Sequence, residues 1–143
     1  MITDKLNKIN KIIIMSIFKN ILKIIFYLLN LIVIIIYLYP GSIVGYIFYG
    51  DLNKQYQITK DFVISSNHFY VFFFLSIFGI LSYFNHKKLS FIIKYIFLSS
   101  IILEILHLLI PNRSFQYSDL FGNITGVLFS VLLLNIYNFW RKK

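Results

Sequence analysis

The stretch FIIKYIFLSSIILEILHLLI (91–110), the turn PNRSFQYSD (111–119) and the run LFGNITGVLFSVLLLNIYNFW (120–140) decide the fold. Each apolar run is about 20 residues, the length an α-helix needs to cross a bilayer. A buried strand ends after about four to eight residues, so runs this long read as helices. Pro111 stops the first run, because proline fits poorly inside a helix. The short turn makes the two helices antiparallel neighbours.

Working outward, HFYVFFFLSIFGILSYF (68–84) is a further apolar run, extended by Asn67. The stretch IIFYLLNLIVIIIYLY from Ile24 to Pro40 is another, with apolar residues continuing to Phe48. The expected fold is all-α, an integral membrane four-helix bundle with spans at about 24–48, 67–84, 91–110 and 120–140. Composition agrees. Only 13% of residues are charged, against roughly 25% in a soluble domain. Cysteine is absent, which excludes a disulfide framework and thiolate metal sites.

A net charge of +9 suggests nucleic acid in a soluble chain, but here its placement indicates orientation and no nucleic-acid partner. Lys5, Lys8, Lys11, Lys19, Lys23, Lys87, Lys88, Lys94, Arg141, Lys142 and Lys143 fall on one side. Only Lys54, Lys60 and Arg113 fall on the other. Basic residues favour the cytoplasmic side, so both termini are expected there. Residues 1–23 read as a basic segment on the inner leaflet, and 24–143 as the transmembrane domain.

Polar residues gather at the opposite side. Glu104 and His107 are three apart and share a helix face, with Ser100 one turn away. A carboxylate inside the bilayer costs about 2.5–3.5 kcal/mol on insertion scales unless it is protonated, paired or beside water. Arg113 and His68 are the reachable partners, so Glu104 is either half of a helix-pinning pair or an acid/base. Glu104, Asp119 and His68 are the candidate catalytic residues. Arg113, Ser114, Asn123 and His107 are the candidate ligand-binding residues, with Arg113 suited to phosphate or carboxylate. Arg113 bridging to Asp119 is the competing reading. Ser118 or Asp119 is expected to cap the last helix. Gly122, Gly126 and Ser130, four apart, form a small-residue packing stripe. Glu104-x-x-His107 is half of a bundle di-metal motif, but the other half is missing, so no metal and no cofactor are expected.

Two segments, NHFYVFFFLSIFG and EILHLLIPNRSFQYSDLFGNITG, resemble the paired motifs of the VanZ-like family of small bacterial membrane proteins. The resemblance covers residues 67–130 and rests on His68, Glu104, Arg113, Ser114, Asp119, Asn123 and Gly126. Where the family has Gln, this chain has His107, and Asn67 replaces a charged residue that often precedes the family's His. The resemblance implies a multi-pass protein of the bacterial inner membrane, in the cell envelope. The family's name-giving member raises resistance to a glycopeptide, teicoplanin.

Three functions fit these residues. One is a site that binds or processes an anionic lipid or lipid-linked envelope precursor. Another is an accessory protein that docks an envelope partner. Transport is the third, and a homo-oligomer would supply the path that four helices lack. The lipid bilayer is the partner common to all three.

Overall fold

The computed structural model describes residues 2–61 and 63–142. The side chains of Lys5 and Lys8, within the expected inner-leaflet segment, lie outside the described residues. Five α-helices follow one another: α1 Ile2–Leu38, α2 Ile43–Tyr49, α3 Ser66–Ser82, α4 Leu89–Leu106 and α5 Tyr117–Arg141. A single 3-10 turn, His107–Leu109, extends α4. Three helical segments, Ile9–Leu38, Leu89–Leu109 and Tyr117–Arg141, are long and apolar enough to cross a membrane. With 17 residues, α3 lies at the lower end of the spanning range of about 17–25.

The first helix differs from the sequence reading at its far end. No Gly or Pro occurs between residues 2 and 38, so nothing separates an inner-leaflet segment from the first span, and α1 is one continuous helix. At its far end the helix stops at Leu38 and does not reach Phe48. Pro40 has no N–H to continue the ladder, and Gly41 turns the chain at φ 98°. Residues 43–49 form the separate α2. Its cap is Ser42, whose Oγ accepts the Gly45 N–H at 2.9 Å. The Ser42 N–H then bonds the Leu52 carbonyl at 2.7 Å, folding α2 back over the bundle end.

The core is apolar and aromatic. Phe26, Phe72, Ile96 and Val127 are buried from all four long helices. Outside it, large apolar side chains such as Ile24, Leu31, Phe91, Leu98 and Leu132 are at least half exposed. Exposed apolar surface on that scale marks contact with lipid or another protein.

Helix α5 lies against α3 through its small residues. A Cβ built on Gly122 would sit 2.6 Å from the Ser65 carbonyl oxygen, and one on Gly126 would collide with the Phe69 carbonyl. Only glycine lets the two backbones come this close. Ser130, the third member of the stripe, bonds the Phe73 carbonyl of α3 at 3.0 Å. The starts of α3 and α5 are also joined by the Ser65 N–H to the Ser118 carbonyl, 3.1 Å.

The end of α1, the start of α3, the end of α4 and the start of α5 therefore meet at one end of the bundle. At the opposite end, Tyr27 of α1 bonds Tyr83, which follows α3, and Arg141 of α5 lies over Phe84. Ser90 and Ser114, both exposed, occupy opposite ends, separated by α4, about 27 Å long at 1.5 Å per residue. If all four long helices cross a membrane, single cysteines at these positions react with impermeant thiol reagents from opposite sides. Labelling of both from one side contradicts four crossings.

Candidate functional site

The polar site is built at the bundle end where α1 breaks. Pro40 removes the N–H that would otherwise bond the Ile36 carbonyl, and Gly41 leaves the helical path. The stranded carbonyls are taken by side chains of the α4–α5 segment. Arg113 donates Nη2–H to the Ile36 carbonyl at 2.9 Å and Nε–H to the Tyr39 carbonyl at 3.2 Å. His107 Nε2 lies 3.2 Å from the Tyr37 carbonyl. A cation at a helix C-terminus also opposes the helix dipole. Burial lowers the Arg113 pKa from its ordinary value, while Tyr37, Glu104 and Asp119 oppose that shift. The guanidinium stays charged.

Asn123, fully buried on α5, holds the centre. Its Nδ2–H donates to the Ser100 carbonyl of α4 at 3.1 Å. Its Oδ1 accepts the Tyr37 hydroxyl of α1 at 2.7 Å and lies 3.1 Å from Nδ1 of His68 on α3. Tyr37 Oη is also 3.0 Å from His68 Nδ1. Tyr37 spends its one proton on Asn123, so His68 Nδ1 must carry its own.

Glu104 is also fully buried. Its Oε1 accepts the Gln116 N–H at 3.2 Å and sits 3.3 Å from His107 Nδ1. Because His107 Nε2 faces a carbonyl, which only accepts, that nitrogen bears a proton. A further proton then lies between Nδ1 and Oε1, and the Glu104–His107 pair is neutral overall. Oε2 has no hydrogen-bond partner and lies 3.7 Å from His68 Nδ1. Across the site, Asp119 Oδ2 is 3.4 Å from His68 Nε2.

The structure therefore brings His68, Glu104, His107, Asp119 and Asn123 into one cluster. Asn123 bonds the Ser100 carbonyl, Tyr37 and His68. Arg113 has no ion pair within 4.0 Å among the described residues, because the α1 carbonyls occupy it. Its bridges to Glu104 and to Asp119 are thus not formed. Ser114 is exposed at the rim. The cap of α5 differs too: the helix begins after Gln116 without a side-chain cap, Asp119 lies in its first turn, and Ser118 Oγ donates to Asp119 Oδ1 at 3.4 Å.

A cleft of about 160 Å³, lined by Tyr37, Ser42, Gln55, His68, His107 and Arg113, opens beneath α2. A neighbouring recess of about 100 Å³, lined in part by Asn112, Arg113, Ser114, Gln116 and Asp119, adjoins it. Together they admit an ion, several waters or a phosphate-sized group.

Tyr37, Gln116 and the 42–56 cover are missed by sequence reasoning. Both Tyr37 and Tyr39 precede the Pro40–Gly41 pair, so nothing in the sequence singles out Tyr37. Comparison of the chain with protein-family models, curated proteins and solved structures finds no match.

The proton assignments are directly measurable. In 15N NMR of the protein in nanodiscs at neutral pH, His68 Nδ1 and His107 Nε2 both carry protons. A bare Nδ1 on His68 or a bare Nε2 on His107 contradicts the network.

Proposed function

We propose that this chain is a VanZ-like, multi-pass protein of the bacterial inner membrane, with both termini cytoplasmic. Its polar cleft opens to the extracytoplasmic side and takes the anionic headgroup of a lipid or lipid-linked envelope precursor. The excess of Lys and Arg at the opposite end supports the orientation. The VanZ-like motif residues His68, Glu104, Asp119 and Asn123 meet in one buried cluster, with Arg113 and Ser114 at its edge.

Arg113 carries the reading. The contacts above use two of its five N–H groups, and it lines both the cleft and the adjoining recess. A guanidinium anchored by its backbone bonds is pre-organised for phosphate oxygens. Ser114 and Asn112 supply further polar groups at the same rim, and the start of α5 adds a favourable field for an anion. His68 and Asp119 form the pair able to move a proton to or from a bound headgroup.

A non-catalytic accessory role is the second reading, favoured by the network itself, since Tyr37, His68, Ser100 and Asn123 tie four helices together as a structural lock.

Native mass spectrometry of the purified chain released from phosphatidylglycerol/phosphatidylcholine nanodiscs separates the two. Wild type retains phosphatidylglycerol preferentially. Arg113→Ala weakens that retention about tenfold, consistent with loss of a charge-assisted bond. Arg113→Lys does not restore it, because lysine lacks the planar fork. Equal retention by wild type and Arg113→Ala contradicts headgroup binding and leaves the lock as the role of the cluster.

A further inference from the structure

We infer that His68, Glu104 and Asp119 form a binding site for a divalent cation of the zinc class. One donor atom from each residue lies within 4.8 Å of the other two, on three different helices. Zinc holds nitrogen and oxygen ligands at about 2.0–2.2 Å, which sets donors a little over 3 Å apart around the ion. His68 Nε2 and Asp119 Oδ2 are at 3.4 Å already, and the Glu104 carboxylate turns to close the site.

Hydrogen bonding divides each of these side chains into a held atom and an offered one. His68 Nδ1 is held by Asn123 and Tyr37, which places a proton there and turns Nε2 toward Asp119. Glu104 Oε1 is held by the Gln116 N–H and His107. Asp119 Oδ1 is held by Ser118. The offered atoms are His68 Nε2, Glu104 Oε2 and Asp119 Oδ2. Metal ligands fixed by outer partners in this way are the usual construction, since those partners set the tautomer and the angle.

The independent sign is the Glu104 Oε2 atom. It is fully buried, has no hydrogen-bond partner, and lies beside His68. A carboxylate oxygen left bare in a low-dielectric site is costly. His68 Nε2 faces Asp119 Oδ2 across 3.4 Å, a gap that a proton or a metal ion can bridge. A metal ion bound among the three side chains gives the bare Glu104 oxygen a partner. The neutral Glu104–His107 pair and the Arg113 engaged on α1 supply no cation between these atoms.

The donor set narrows the metal. One imidazole with two carboxylates suits zinc or manganese better than magnesium, which favours oxygen ligands and keeps its waters. Three protein ligands leave a coordination position open, and His68 and Asp119 line the cleft and its adjoining recess, which gives the ion a way in. The inference goes beyond the headgroup reading and stands whether or not a lipid is bound.

The test uses the full chain in detergent, stripped with EDTA, dialysed against zinc chloride and then against metal-free buffer. Elemental analysis is expected to find about one zinc per wild-type chain, as a preformed three-ligand site retains its ion. His68→Ala and Asp119→Asn each lose it, while His86→Ala, at an exposed loop position, keeps it. Size-exclusion profiles and circular dichroism establish that the variants remain folded. A second readout needs no variant: cobalt-loaded wild type shows the visible d–d bands of a low-symmetry site, and zinc displaces them. Zinc at a tenth of the chain or less in wild type overturns the inference. So does equal zinc in wild type and in both ligand variants, or a cobalt spectrum indistinguishable from the hydrated ion.

Discussion

The buried amide of Asn123 is the interaction on which this end of the molecule depends. Its two faces bond in opposite directions: Nδ2–H to the α4 backbone, and Oδ1 to Tyr37 of α1 and His68 of α3. In a bundle whose outer surface is apolar, packing alone discriminates poorly among helix arrangements, because lipid is as apolar as the side chains. A buried polar group with several required partners does discriminate, since each unmet partner carries a desolvation cost of about 1–3 kcal/mol. Gly122 and Gly126, flanking Asn123 on α5, let that helix approach α3 closely enough for the bonds to form.

The same end carries a second constraint, the break in α1. Pro40 and Gly41 strand carbonyls at the helix terminus, and Arg113 and His107 satisfy them. That choice keeps Arg113 out of direct ion pairs with Glu104 and Asp119. The acids instead face the histidines, and one Glu104 oxygen has no hydrogen-bond partner. Fold and site are therefore linked: capping α1 turns Arg113 toward backbone carbonyls and leaves the acids facing the histidines.

Much of the architecture is legible in the sequence for simple reasons. The runs at 91–110 and 120–140 exceed any strand, and Pro111 marks the turn between them. Glu104 and His107 stand out because ionisable groups are rare in such runs. The break after Leu38 was harder to read, since apolar residues continue to Phe48 and periodicity does not register a turn inside an apolar stretch. The partners of Arg113 left no trace in side-chain identity, because they are backbone carbonyls. The bonds of Asn123 go to Ser100, Tyr37 and His68, partners that depend on its rotamer and on the α3–α5 approach rather than on residue spacing. His68, Glu104 and Asp119 are 36 and 15 residues apart in sequence, so no local motif discloses that their donor atoms converge.

The central claim is that Asn123 and Tyr37 act as one bonded unit in holding the helix ends. A double-mutant cycle with Tyr37→Phe, Asn123→Ala and the combined variant, read from equilibrium unfolding in detergent, tests it most directly. The account predicts a coupling of about 1 kcal/mol or more between the two positions, as for residues sharing a buried hydrogen bond. Additive effects of the two substitutions would contradict it.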